Sequence, residues 1–217
     1  KSAKLLATLL FSMRGTPFLF QGDELGMINL ELKSLSDSKD IETLNGWQEA
    51  RKRGLSEEQF MTIANQTGRD NARTPFQWED SKHAGFTTGN PWMVVNRSYT
   101  SINQQRQEKD EDSVLNYFRR MIKIRKSNLV LTYGQYLPIE TDNEKLFIYQ
   151  RKMTISKGEQ IMMIVLLNFS DDRVRLSLRN TLNEEYRLIG NYPAVKQLNY
   201  LNPWEACIYE MDESGEY

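Results

Sequence analysis

Residues 68–92 read GRDNARTPFQWEDSKHAGFTTGNPW, and the reading of this stretch governs that of everything around it. Arg69, Asp70 and Arg73 stand beside Trp78, Phe86 and Trp92, with Gly and Pro as punctuation. Neither a 3.6-residue nor a 2-residue apolar period runs through it, so it reads as a long structured loop. Long ordered loops in compact domains are commonly binding or active-site elements. Two arginines with Asp and Asn between them can build a hydrogen-bonding fork, because guanidinium groups are planar and permanently charged. The aromatics offer flat apolar faces of the kind a sugar ring stacks on. The same residues equally suit a plainer purpose, in which Arg69, Asp70 and Arg73 pin a large loop to its domain.

Upstream, Leu5, Leu6, Leu9, Leu10 and Met13 fall at helical spacing, and Gly15 and Pro17 end that helix. Thr16 to Gln21 is short, apolar and aromatic, as expected of a buried parallel strand. A helix followed by a strand is one step of an alternating α/β domain. Because the chain opens on the helix, that domain is expected to begin before Lys1, and the missing initiator Met agrees. Asp23 and Glu24 follow the strand, where α/β barrels carry their active sites. Adjacent residues point in different directions, however, and acids favour a helix's first turn, so the pair reads as the start of a short helix.

From Asp40 a helix is expected through Ile41, Leu44 and Trp47 to Arg53, closed by Gly54. Ser56 before Glu57, Glu58 and Gln59 signals the next helix start. The charged tract EKDED (108–112) reads as solvated surface, and a helix is expected from Ser113 to about Lys126. Beyond Asn128 the pattern becomes alternating or apolar. Runs at Tyr133–Ile139, Leu146–Lys152, Ile161–Phe169, Arg173–Leu178, Tyr186–Ile189 and Ala206–Met211 are separated by DNE, SKGEQ, SDD and NTLNEE turns. That spacing predicts an antiparallel β-sandwich. The boundary falls near 128–132, giving parts 1–128 and 129–217.

Composition limits the partners. Hydrophobic residues make up 39% of the 217, enough for a buried core. Lys plus Arg (28) nearly balances Asp plus Glu (29), so nothing points to nucleic acid or an anionic membrane. No apolar run approaches the roughly 20 residues of a membrane span. The single Cys207 lies in the strand-like EACIYEM as a small buried residue, and one cysteine suits a reducing, cytoplasmic setting. His83 is the only histidine, with no second ligand at metal spacing, so neither zinc nor any other cofactor is expected.

Three blocks occur in order: GTPFLFQGDELGM (15–27), DIETLN (40–45) and GRDNARTPFQW…HAGFTTGNPW (68–92). Together they resemble glycoside hydrolase family 13, in the branch of oligo-1,6-glucosidases, dextran glucosidases, α-glucosidases and trehalose-6-phosphate hydrolases. The likeness runs along the whole chain and weakens after about Tyr133. It implies the carboxyl-terminal part of a retaining α-glucosidase: the last segment of a TIM-type (β/α)8 barrel, then the β-sandwich. In that family the nucleophile, the acid/base and the stabilising carboxylate follow the fourth, fifth and seventh strands, and none has a matching position here. No catalytic residue is therefore assigned. Arg69 matches the arginine that holds the non-reducing-end glucose. Glu42 matches the carboxylate that binds the next sugar. Asp70, Asn71 and Arg73 are expected to set Arg69.

The resemblance makes an oligosaccharide the expected partner, acting through a longer parent enzyme. Without its acid and nucleophile, this chain alone is expected to be inactive. An incomplete barrel is also expected either to self-associate through residues 1–128 or to show much of Ile28–Asn65 rearranged. A stand-alone carbohydrate-binding module is the alternative reading, and relatives that transfer or isomerise a glucosyl group are a third.

Overall fold

The computed structural model describes residues 1–155, 158–178 and 182–211. They form two compact units, Lys1–Phe18 with Tyr117–Tyr217, and Leu19–Asn116. The partition differs from the division expected at residue 128, because the first helix packs on the sheet and most of the helix at 114–127 packs on that helix, Tyr117 at Thr8 and Phe118 at Phe11.

The first unit is built on α1 (Ser2–Ser12), the body of α5 (Val114–Ser127), α6 (Leu129–Tyr133) and strands β1 (Gln135–Ile139), β2 (Leu146–Thr154), β3 (Gln160–Asn168), β4 (Val174–Arg175), β5 (Leu182–Asn183), β6 (Arg187–Gly190), β7 (Gln197–Leu198), β8 (Tyr200–Leu201) and β9 (Ala206–Met211). Five strands make one antiparallel sheet in the order β1-β2-β3-β9-β6, with β4–β8 and β5–β7 as two short antiparallel ladders. A mainly antiparallel sheet is what the turn spacing predicts for this half. The expected turns at 156–160 and 180–185 fall partly outside the described residues.

Side chains on a strand alternate between faces, and β3 buries both of its own. Ile164 and Leu166 join Cys207 and Tyr209 of β9 and Leu176, Leu182, Leu198 and Leu201 in one apolar cluster. The leucines of the short ladders thus cover one face of the large sheet. On the other face α1 and α6 lie against the sheet, burying Leu5 and Phe11 of α1 and Val130 and Leu131 of α6.

Polar groups on that second face are satisfied in pairs, as burial requires. The Tyr117 hydroxyl lies 2.7 Å from Thr8 Oγ1, and the Tyr149 hydroxyl 2.6 Å from Ser12 Oγ. Two buried guanidiniums hold the carboxyl end of α1. Arg125 Nη1 donates to the carbonyls of Phe11 (2.6 Å), Met13 (2.9 Å) and Leu131 (2.9 Å), and its Nη2 to that of Gly15 (2.5 Å). Arg151 donates to the carbonyls of Ser12, Leu131 and Gly134. Cations at the negative end of a helix dipole serve this purpose well. Burial lowers the pKa of both guanidiniums.

The second unit holds α2 (Ile41–Lys52), α3 (Glu57–Thr67), α4 (Gln104–Glu108) and several 3-10 turns. Its apolar cluster is small: Leu30, Leu32, Met61 and Met93, with Leu35, Phe60 and Ala64 around them. Asparagine amides do much of the remaining work. Asn65 accepts from the Leu32 N–H and donates to the Leu32 carbonyl, both at 3.0 Å. Asn71 Oδ1 accepts from the Leu30 N–H at 2.9 Å, and Asn96 Nδ2 donates to the Ile28 carbonyl at 2.8 Å. These side chains give the extended backbone of 28–32 the partners that a neighbouring strand would otherwise supply.

The parallel strand expected over Thr16–Gln21 is not formed. Residues 16–20 carry no regular structure, and Phe18 is 84% exposed. A strand needs a partner edge, and among the described residues none pairs with this stretch. No parallel strand pair occurs among the described residues.

Candidate functional site

Helix α2 starts where the sequence places it. Asp40 is its N-cap, with Oδ2 accepting from the Thr43 N–H (3.3 Å) and the Thr43 hydroxyl (2.9 Å). A capping box opens α3: the Ser56 N–H donates to Gln59 Oε1 (3.0 Å) and the Gln59 N–H to Ser56 Oγ (3.2 Å). α3 ends at Gly68, and residues 69–73 coil into a 3-10 turn. Glu42 in the first turn of α2 and Arg69 just past α3 are thereby brought to one place. Their ion pair, Arg69 Nη2 to Glu42 Oε2, measures 2.8 Å. Both side chains remain about two-thirds exposed, at 66% and 70%.

Two buried aspartates lock the backbones beneath this pair. Asp70 Oδ2 accepts from the Ser38 hydroxyl (2.8 Å), the Lys39 N–H (2.8 Å) and the Asp40 N–H (3.2 Å). The backbone N–H groups of Glu42 and Arg69 add to the Thr43 donors in favouring the charged form of the Asp40 carboxylate. Asp70 therefore grips the segment that carries Asp40. Burial pushes the Asp40 carboxyl upward, but the donated hydrogen bonds outweigh it and hold the pKa below the ordinary value. Arg73 reaches Asp40 Oδ1 at 3.7 Å. Asp70 Oδ1 is buried with no partner among the described residues.

Above the pair lies an open depression of about 670 Å³, lined by Lys39, Asp40, Glu42, Arg69 and Arg73 among others. Its size falls in the roughly 300–1,000 Å³ range of small-molecule sites. Chemically it sets a donor-only guanidinium against an acceptor-only carboxylate, a combination suited to hydroxyl groups, which both donate and accept.

Arg69 and Glu42 are thus brought together, with Asp70 and Arg73 close beneath. Asn71 turns away, accepting from Leu30 and donating to the Asn65 carbonyl at 2.9 Å. Asp23 and Glu24 lie in a 3-10 turn, where they accept from the N–H groups of Phe20 and Gly22. His83 lies in a left-handed turn with Ala84 and Gly85. Among the described residues no group of three His, Cys, Asp or Glu side chains could hold a metal ion, and no helix is long and apolar enough to cross a membrane. Sequence reading missed the part played by Asp40. An Asp just before a helix is an N-cap signal, but nothing in the sequence announces its ion pair with Arg73.

Comparison with known proteins finds relatives along nearly the whole chain. The oligo-1,6-glucosidase of Halalkalibacterium halodurans is 38% identical over 96% of this chain and 37% of its own length. Trehalose-6-phosphate hydrolase of Bacillus subtilis is 34% identical over 97% of this chain and 38% of its own. Among solved structures, isomaltulose synthase from Klebsiella sp. LX3 superposes with a TM-score of 0.83 at 37% identity, covering 96% of this chain and 38% of that one. The chain spans under two-fifths of the length of these relatives. The profile of the alpha amylase catalytic domain matches residues 1–134, and the chain belongs to that family, glycoside hydrolase family 13.

Proposed function

We propose that this chain is the carboxyl-terminal part of a retaining α-glucosidase that hydrolyses terminal α-linked glucose, as oligo-1,6-glucosidases do. Residues 1–128 would close the barrel and 129–217 form the domain that follows it. Hydrolysis would proceed by double displacement through a covalent glucosyl-enzyme, with both catalytic carboxyl groups supplied by preceding sequence. In this reading Arg69 holds the reacting glucose and Glu42 the next sugar, in a cytoplasmic enzyme. The observation that carries it is the meeting of Arg69 and Glu42 at 2.8 Å in one depression.

The test is kinetic and uses the complete protein that contains this chain. Glu42→Gln is expected to alter the preference between isomaltose and an aryl α-glucoside by about 1–3 kcal/mol, the worth of a lost polar contact. Arg69→Lys is expected to lower kcat, because its sugar changes shape in the transition state. Equal losses on both substrates, accompanied by a lower Tm, would make the two residues scaffolding. Purified alone, the 217-residue chain is expected to release no glucose from either substrate. Exposed Phe18, Leu19 and Phe20 support the expectation that it self-associates, which light scattering reads directly.

The likeness to isomaltulose synthase favours a second reading, in which the parent moves the glucosyl group rather than releasing it. Product analysis with sucrose separates the two: an isomeric disaccharide in place of free glucose would select the second.

A further inference from the structure

We infer that Glu42 and Arg69 act as one recognition element, not as two independent sugar contacts, so that holding one sugar is energetically coupled to choosing the next. This rests on the reading of the site given above and extends it. The resemblance assigns the two residues to different sugars, yet their side chains meet at 2.8 Å. A contact removed from either one therefore alters the other.

Three observations make the pair a built element rather than a chance surface ion pair. The segments beneath it are tied together, Asp70 accepting from residues 38–40 and Asp40 pairing with Arg73 at 3.7 Å. Glu42 stands in the first turn of α2, where the helix dipole favours a carboxylate. The pair also lies in the depression and not on a convex surface.

Solvent exposure then determines how it acts. With both side chains about two-thirds exposed, water screens the attraction, and such pairs contribute little when left open. A sugar seated in the depression displaces that water and lowers the local dielectric, so the same 2.8 Å contact strengthens on binding. The ion pair uses Nη2 and Oε2, leaving the other guanidinium N–H groups and Oε1 for ligand hydroxyls. A ligand with neighbouring hydroxyls can donate to Glu42 while accepting from Arg69. Its binding sharpens the pair, and the sharpened pair orients the ligand. The ligand class this suits is a neutral glycoside with vicinal hydroxyl groups.

A double-mutant cycle in the complete protein tests the inference: Glu42→Gln, Arg69→Gln and the double variant, with kcat and KM measured on isomaltose. Coupling predicts that each single change lowers kcat/KM by about tenfold or more, and that the double variant falls no more than about threefold below the worse single one. If the losses multiply instead, the two contacts are independent and the inference is overturned, although the site assignment stands. If neither single change alters kcat/KM, the site assignment itself fails. A measurement on this chain separates geometry from activity. In nitrogen-resolved NMR spectra the Arg69 Nε–H signal is expected to move in Glu42→Gln. An Arg69 signal indifferent to Glu42 would refute the pairing.

Discussion

Replacing Asp70 by alanine is expected to loosen the clasp beneath the candidate site. Its Oδ2 takes three donors at 2.8, 2.8 and 3.2 Å. Hydrogen bonds to a charged acceptor contribute about 1.5–3 kcal/mol each. The loss is smaller than three full bonds, because Lys39 is exposed and its N–H can turn to water. The Asp40 N–H also keeps Ser38 Oγ at 3.3 Å. Roughly two bonds' worth remains, about 3 kcal/mol. For a chain of this size that corresponds to a drop in Tm of about 6–12 °C. Urea unfolding followed by tryptophan fluorescence measures it, since Trp47, Trp78 and Trp92 all belong to the unit that holds Asp70. Ser38→Ala is the control: it removes one donor to Asp70 and the weaker acceptor of the Asp40 N–H, and is expected to cost about 1.5 kcal/mol. If Asp70→Ala costs no more than Ser38→Ala, the three-donor clasp is not what joins the two segments.

Arg125→Met leaves the carbonyls of Phe11, Met13 and Gly15 without this donor, while Leu131 keeps Arg151, so a loss of about 4 kcal/mol is expected, with Arg125→Lys intermediate; chemical unfolding read at Trp204 checks both. Asp40 titrates below its ordinary value of 3.8 in the folded chain, so its contribution is complete above that value and is lost as pH falls through the folded pKa. The stability gap between the natural chain and Asp40→Asn should therefore be full at about pH 6 and shrink towards about pH 3, and a gap that widens on acidification would contradict it. Cys207 is wholly buried and its thiol is pushed upward by that burial, so it should resist a thiol reagent in buffer and react at once in urea.

What was legible in the sequence was local. The helix starts at Asp40 and Ser56 are written in capping residues, and the structure uses both. The long strands β2, β3 and β9 follow from apolar runs bounded by turn residues. Two-residue strands such as β7 and β8 are too short to carry a period, and α4 and α6, at five residues each, have almost none. The apolar run at 16–21 shows the opposite failure. Its residues suit a buried strand, but burial is a property of neighbours, and the composition of a segment says nothing about which neighbours it has. The ties from Asp70 to residues 38–40 join segments some thirty residues apart, and no pattern of spacing announces them.

The two borders of the five-stranded sheet have a consequence for how molecules of this protein behave in a crowd. An open sheet border is a row of unpaired donors and acceptors that invites another chain to continue it. On one side the last strand is β1, and Pro138 within it has no N–H to offer. On the other side is β6, where the pairing slips between Arg187 and Ile189. Irregularities of that kind twist a border out of the plane that a docking strand requires. Both ends of the sheet therefore resist extension into fibrils. Replacing Pro138 with a β-branched residue would restore the row on one side, making amyloid growth, followed by dye binding, the cost of a change that leaves the core untouched.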